Sequence, residues 1–238
     1  DTSVIIDNGD ADITGTSISL SDSPFDVLTV SGNANFDGTA GNITIAALGI
    51  ANFGSLTFNT TAGDVNITED SSTLLTGSST GSSLVLVSAV AITNDATADV
   101  AITNNANFSG TSITIGDVGN NNDTFGTLTF NSAGDVSISE DDVMVVTGVN
   151  TAANLSLTSE TGAVTDEDTG ATSITATADA DITGTSISLT NTAGDVLAVT
   201  GNLDLDGTAG NITIAALGIA NFGSLTFNTT AGDVNITE

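Results

Sequence analysis

Seven amino-acid types are missing from this 238-residue chain: Lys, Arg, His, Cys, Trp, Tyr and Gln. In an average chain Lys and Arg alone supply roughly a tenth of all residues, so their absence is a property of the sequence. Without cations nothing neutralises phosphates, which excludes nucleic-acid binding and a polybasic membrane anchor. Without His or Cys, zinc, haem and iron–sulfur ligation are excluded. Ser-His-Asp and Cys-His catalysis lack their base, and a P-loop lacks its lysine. No disulfide can form. The 29 acidic residues give a net charge of −29 with no opposite side-chain charge to pair with. Carboxylate chemistry, hard-cation binding and structure remain.

High net charge with few aromatics is one signature of disorder. Here 39% of residues are hydrophobic and Pro occurs once, at Pro24. Val, Ile and Thr are abundant, which favours strands. A folded, all-β chain is expected. No stretch reaches the roughly 18 apolar residues of a membrane span; the longest candidate, Leu84 to Ile92, is short and contains Ser88. With no initiator Met or signal peptide, the chain reads as a mature or excised segment.

A repeat dominates the sequence. Residues Asp37 to Glu69 recur unchanged as Asp206 to Glu238, at an offset of 169. At the same offset DADITGTSISL recurs (Asp10 and Asp179), and DVLTVSGN from Asp26 matches DVLAVTGN from Asp195. Residues 1–169 therefore form one long unit and 170–238 a partial second copy, with no independent domain boundary expected between them. A finer echo relates the segment ending at Asp70 to that ending at Asp141. Below it lie alternating apolar pairs: Leu56/Phe58, Val65/Ile67, Val100/Ile102, Ile113/Ile115, Leu128/Phe130, Val136/Ile138, Leu155/Leu157 and Ile187/Leu189. Period-2 alternation predicts half-buried strands, and the intervening Gly-Asp, Gly-Asn and Ser-Gly pairs predict turns.

Two architectures suit this pattern. Tandem β-sandwich domains need about a hundred residues each and often a buried aromatic, which the 169-residue period fits loosely. A β-solenoid stacks coils of about 20 residues on one continuous core. The period accommodates seven coils of about 24 or nine of about 19, and spacing does not choose between them. Short side chains stack well from coil to coil, so the expectation is a parallel β-helix of about 10–12 coils, with the tandem sandwich as the alternative.

The succession SLTFNTTAGDVNITED, NLDLDGTAGNITI and ANLSLTSETGAVTDED resembles the coil repeats of filamentous-haemagglutinin-like bacterial surface proteins, of loose form xLxLxSxxGxIxxxG, over essentially the whole chain. The resemblance implies a right-handed parallel β-helix in a very large secreted adhesin or matrix protein. The chain departs from that pattern in having no Lys, Arg or Gln.

Ten to twelve coils rising about 4.8 Å each would make a rod of roughly 50 to 60 Å, with about one charge per 2 Å, near the density of duplex DNA. Such rods should repel at low salt and associate when divalent cations bridge them. No cofactor is required; Ca²⁺ is the one candidate. Its oxygen ligands would come from the acidic runs Glu69-Asp70, Glu140-Asp141-Asp142 and Asp166-Glu167-Asp168, and from the loop Asn120-Asn121-Asn122-Asp123. The competing reading makes these solvated turns, and neither the EF-hand loop nor the glycine-rich nonapeptide is present. Phe53, Phe58, Phe125, Phe130, Phe222 and Phe227 are expected in core stacks. The pairs Asp10/Asp12, Asp179/Asp181 and Asp204/Asp206 put two carboxylates on one strand face, the minimum for glycosidase chemistry. No cation is available to hold a sugar, so an enzyme is not expected. The expected function is a structural repeat segment of an extracellular, cell-surface or matrix protein. Its partners would be copies of itself, in filaments or lateral bundles, and cations. Direct membrane insertion is not expected. The alternative is an adhesin module whose wall or loops bind a carbohydrate or cell-surface ligand.

Overall fold

Strands form because β-branched residues alternate with Ser, Thr, Asn and Asp over four to six positions and Gly or Asx turns interrupt them. No segment carries the 3.6-residue periodicity a helix needs. The computed structural model describes residues 3–46, 48–116, 122–214 and 217–238. It consists of two compact units, Asp1–Asp123 and Thr124–Glu238, a division different from the repeat boundary after residue 169. Both are parallel β-solenoids, with about ten turns between them and no helix among the described residues.

In the first unit one coil consists of Val65–Glu69, Thr73–Leu75 and Ser78–Gly81. The next coil lays Leu84–Ser88 on the first strand, Ala91–Asn94 on the second and the start of Asp99–Gly110 on the third. In the second unit Val136–Glu140, Leu155–Ser159 and Ala180–Gly184 stack in the same way, as do Met144–Val146, Val164–Asp166 and Ile187–Leu189. Every pairing whose register is described is parallel, so hydrogen bonds run from coil to coil and identical positions stack. The coil length varies from 18 residues (Leu128 to Val146) to 25 (Ile18 to Ile43). Corners absorb the difference, and no single coil length exists for spacing to reveal.

All sixteen residues of the eight alternating apolar pairs are at most 3% exposed. Vertical columns fill the interior: Ile18, Ile43, Val65 and Leu84 lie in register, and Phe36 lies under Phe58. Phe36 also meets Phe53 edge-on, with ring centroids 5.6 Å apart. Phe53, Phe58, Phe125 and Phe130 are buried as expected, but Phe222 is half-buried and Phe227 is 51% exposed. They have the same sequence around them as Phe53 and Phe58. What differs is that no coil stacks on Ile219–Thr229, whereas Ile50–Asn59 is covered on both sides.

Candidate functional site

Each corner of a solenoid breaks the strand ladder and leaves backbone N–H and C=O groups that must find other partners if they are buried. In this chain the acceptors are carboxylates and Asn amides, and the donors are hydroxyls. Thr60 donates to the Gly41 carbonyl at 2.9 Å and accepts from the Gly63 N–H at 3.0 Å. Thr229, Gly210 and Gly232 repeat the motif, and Ser159, Asp142 and Gly162 form it a third time. The glycine is required because a Cβ on Gly63 or Gly232 would overlap the Gly41 or Gly210 carbonyl. Asn33 Oδ1 accepts from Ser55 (2.9 Å), Thr76 (3.1 Å) and Thr57 (3.3 Å).

The best-defined acidic corner occurs twice, at the 169-residue offset. In the second unit Asp195 Oδ1 accepts the Thr172 N–H at 2.9 Å, while Oδ2 accepts the Thr192 N–H at 2.7 Å and hydroxyl at 2.8 Å. In the first unit Asp26 does the same with the N–H groups of Ser3 (2.7 Å) and Ser23 (3.1 Å). Thr190 and Ser21 occupy equivalent left-handed positions, with φ of 59° and 57°. Thr190 N–H donates to Asp166 Oδ2 at 2.6 Å, and the Asp166 and Asp195 carboxyls are near enough to influence each other's protonation. Burial pushes the Asp166 carboxyl up to about 6, opposed by the Thr190 N–H and reinforced by the Asp195 charge. Burial pushes Asp195 upward too, but donors from Thr172, Thr192 and Asp166 outweigh it and hold Asp195 below the usual range. The two neighbouring carboxyls are thus shifted in opposite directions.

Most of the acidic runs have similar duties. Glu69 is buried; Oε1 accepts from Phe53 N–H (3.0 Å) and the Ser71 hydroxyl (2.9 Å), and Oε2 from the Thr73 hydroxyl (2.7 Å). Burial raises its carboxyl above the ordinary range, despite those hydrogen bonds. Asp70 accepts the Ala51 N–H at 2.9 Å. Glu140 takes the Phe125 N–H at 2.7 Å, and Asp123 the Val100 N–H at 2.7 Å. The carbonyls of Asp141 and Asp142 accept from Thr161 and Ser159. Glu167 accepts from Thr147 and Thr169, and Asp168 from Asn191. Asn122 N–H donates to Asp99 at 2.9 Å. Asn120 and Asn121 lie outside the described residues. Among the described residues no three acidic groups are grouped so as to hold a metal ion.

The outer wall of the second unit stacks like charges directly. Asp181 lies in register with Asp204, and Asp206 follows two residues later on the same face. Burial first, then the charges of Asp204 and Asp206, raise the Asp181 carboxyl, against a hydrogen bond from Thr183. A shallow groove here is lined by Asn154, Asp179, Asp181, Asn202 and Asp204. In the first unit Asp12 sits instead beside Asn35, whose amide donates to it at 3.0 Å.

The acceptor role of Asp26 and Asp195 is not anticipated by the acidic runs. The signal is an Asp immediately before an alternating apolar segment. Asp26, Asp99, Asp135 and Asp195 each precede a Val and accept a backbone N–H from the neighbouring coil. Comparison with protein-family models, curated proteins and solved structures finds no match to this chain.

Proposed function

We propose that this chain is a structural segment of an extracellular surface or matrix material, a polyanionic wall whose association is controlled by cations. The observation that carries the reading is the division of labour at the corners. Buried carboxylates accept backbone N–H groups and hydroxyls donate to carbonyls, so acidity is built into the fold. The remaining carboxylates, such as Asp181, Asp204 and Asp206, stack on an outer face with no cationic side chain in the chain to offset them. With 29 acidic groups over about ten turns, each turn brings about three negative charges. Walls of this kind repel one another, and divalent ions shared between them reverse the repulsion. The buried acid pair, Asp166 and Asp195, sits against backbone donors, which supports a structural duty over glycoside cleavage.

Light scattering and negative-stain microscopy test the reading. About 5 mM Ca²⁺ should produce lateral bundles that NaCl of equal ionic strength does not, and a chelator should disperse them. Particles that stay single under both conditions would refute cation-controlled association.

A further inference from the structure

The walls of the second unit differ in what they turn outward. On one wall Val149, Ser173, Val196 and Ile219 lie in register, and two residues further along each strand lie Thr151, Thr175, Ala198 and Asn221. Both sets point away from the core, since the residue between them on each strand is buried. None of the eight carries a charge. The next wall along the coil, where Ala180–Gly184 pairs with Leu203–Gly207, turns out Asp181, Asp204 and Asp206 instead. The first unit repeats the neutral wall at the 169-residue offset: Val27 lies in register with Ile50, and Thr29 with Asn52. Val149 is 63% exposed and Ile50 43%, although both belong to coils with neighbours on two sides. Their exposure is therefore lateral and belongs to the wall. Leu48, 65% exposed, widens the apolar surface beside Ile50.

We infer that the neutral wall of each unit is a self-association surface, covered by the same wall of a second copy of the chain. Charge selects the occupant. Each copy carries −29, and pairing through an acidic wall would bury carboxylates with no cation opposite, at several kcal/mol each. The neutral wall buries none. A cationic partner is drawn instead to Asp181, Asp204 and Asp206, where opposite charge can be met. Pairing of a wall with its own copy is isologous. Ser173 is the small residue between Val149 and Val196 and leaves a notch in the column. A two-fold axis between the Ser173 and Val196 rungs sets the valine of each copy into the serine notch of the other. Each wall offers roughly 300–500 Å² of surface, the size of an exposed apolar patch that is often functional. That is less than the roughly 800 Å² per partner of a stable dimer, so the association is weak, with a dissociation constant of about 0.1–1 mM. Monovalent salt strengthens it by screening the charges of the other walls. It needs no divalent ion, and the inference does not rest on cation-controlled association.

The test is small-angle X-ray scattering of the full chain at about 1 mM in about 1 M NaCl with a chelator, where the Debye length is about 3 Å and no divalent ion can bridge. The average mass should be at least about 1.5-fold that of a single chain and should fall toward one chain at about 0.05 M NaCl. Val149→Ser combined with Ile50→Ser places in both walls the residue already present at Ser173. It should raise the dissociation constant at least about tenfold with the far-ultraviolet circular dichroism unchanged. Val149→Asp combined with Ile50→Asp should abolish the association, and Asp181→Asn on the acidic wall should not weaken it. A chain that stays single at about 1 mM in NaCl overturns the inference, as does association that the two serines leave unchanged. Association that appears only with Ca²⁺ and is weakened by Asp181→Asn overturns it too, while leaving cation bridging intact. An octalysine peptide whose binding is lost with the two serines would make the wall a cationic partner's site, and the proposal fails.

Discussion

Replacing Glu69 with Ala and, separately, with Gln isolates the role of the buried acids. Ala removes the acceptor of the Phe53 N–H, which is sealed between coils. An orphaned buried donor costs about 1–3 kcal/mol. The hydroxyls of Ser71 and Thr73 also lose an anionic partner, and a small cavity opens. Together these should destabilise the first unit by about 3 kcal/mol. Gln keeps an oxygen for Phe53 and turns an NH₂ toward Thr73, whose hydroxyl can accept it. Because burial raises the Glu69 carboxyl, the folded state holds its proton more tightly than the unfolded chain does. Stability is therefore lost as pH rises from the ordinary carboxylate range through the raised value. Glu69→Gln should match the parent in acid and equal or exceed it at pH 7. The control is internal: Glu238 stands in an identical 33-residue sequence, Asp206 to Glu238, but reaches only the Phe222 N–H at 3.4 Å. Glu238→Ala should cost less than about 0.5 kcal/mol. Urea melts of the four chains at pH 5 and pH 7 check this. If Glu69→Gln is as damaging as Glu69→Ala, or Glu238→Ala as damaging as Glu69→Ala, acceptor duty is not what Glu69 provides.

Three other outcomes follow from the same physics. Asp166, with its carboxyl raised to about 6, favours the folded state below the ordinary carboxylate range and loses that advantage as pH climbs through 6. Asp166→Asn should accordingly flatten the fall in stability between pH 5 and 7 measured by thermal melts. Phe58→Ala should cost about 3–5 kcal/mol and Phe227→Ala less than half of that, since the first is fully covered and the second 51% exposed; calorimetry of the two variants decides. Gly63→Ala, whose Cβ would overlap the Gly41 carbonyl, should cost about 1–3 kcal/mol by forcing two coils apart, read as a shift in urea midpoint at unchanged slope.

Much of this architecture is legible in the chain because a stacked coil repeats one environment many times. Val65/Ile67 and Leu155/Leu157 declare an inward face by alternation alone, and both pairs are buried. Coil length is not legible, because a corner can add or omit residues without disturbing the columns above and below. The duty of each carboxylate in an acidic run is not legible for a related reason. Neighbours in sequence such as Glu69 and Asp70 serve different N–H groups, those of Phe53 and Ala51. Closeness along the chain does not bring their oxygens to one point. The partnership of Asp166 with Asp195 spans a whole coil, and only the fold's register reveals it. Phe227 shows the remaining limit: its local sequence is that of Phe58, and burial depends on a neighbour that local sequence does not contain.

The use of hydroxyls as donors and carboxylates as acceptors has a consequence for chemical endurance. Ordinary proteins grow more negative in alkali as Cys, Tyr, Lys and finally Arg give up protons. None of those residues is present, and Ser and Thr hydroxyls and Asn amides do not titrate in that range. Once the carboxyls have ionised, no side chain changes its protonation across the range in which Cys, Lys and Tyr titrate. Above the range in which the raised carboxyls of Glu69 and Asp166 ionise, the side-chain charge therefore stays fixed through the alkaline range where other proteins titrate, and the wall's electrostatics there are set by dissolved ions.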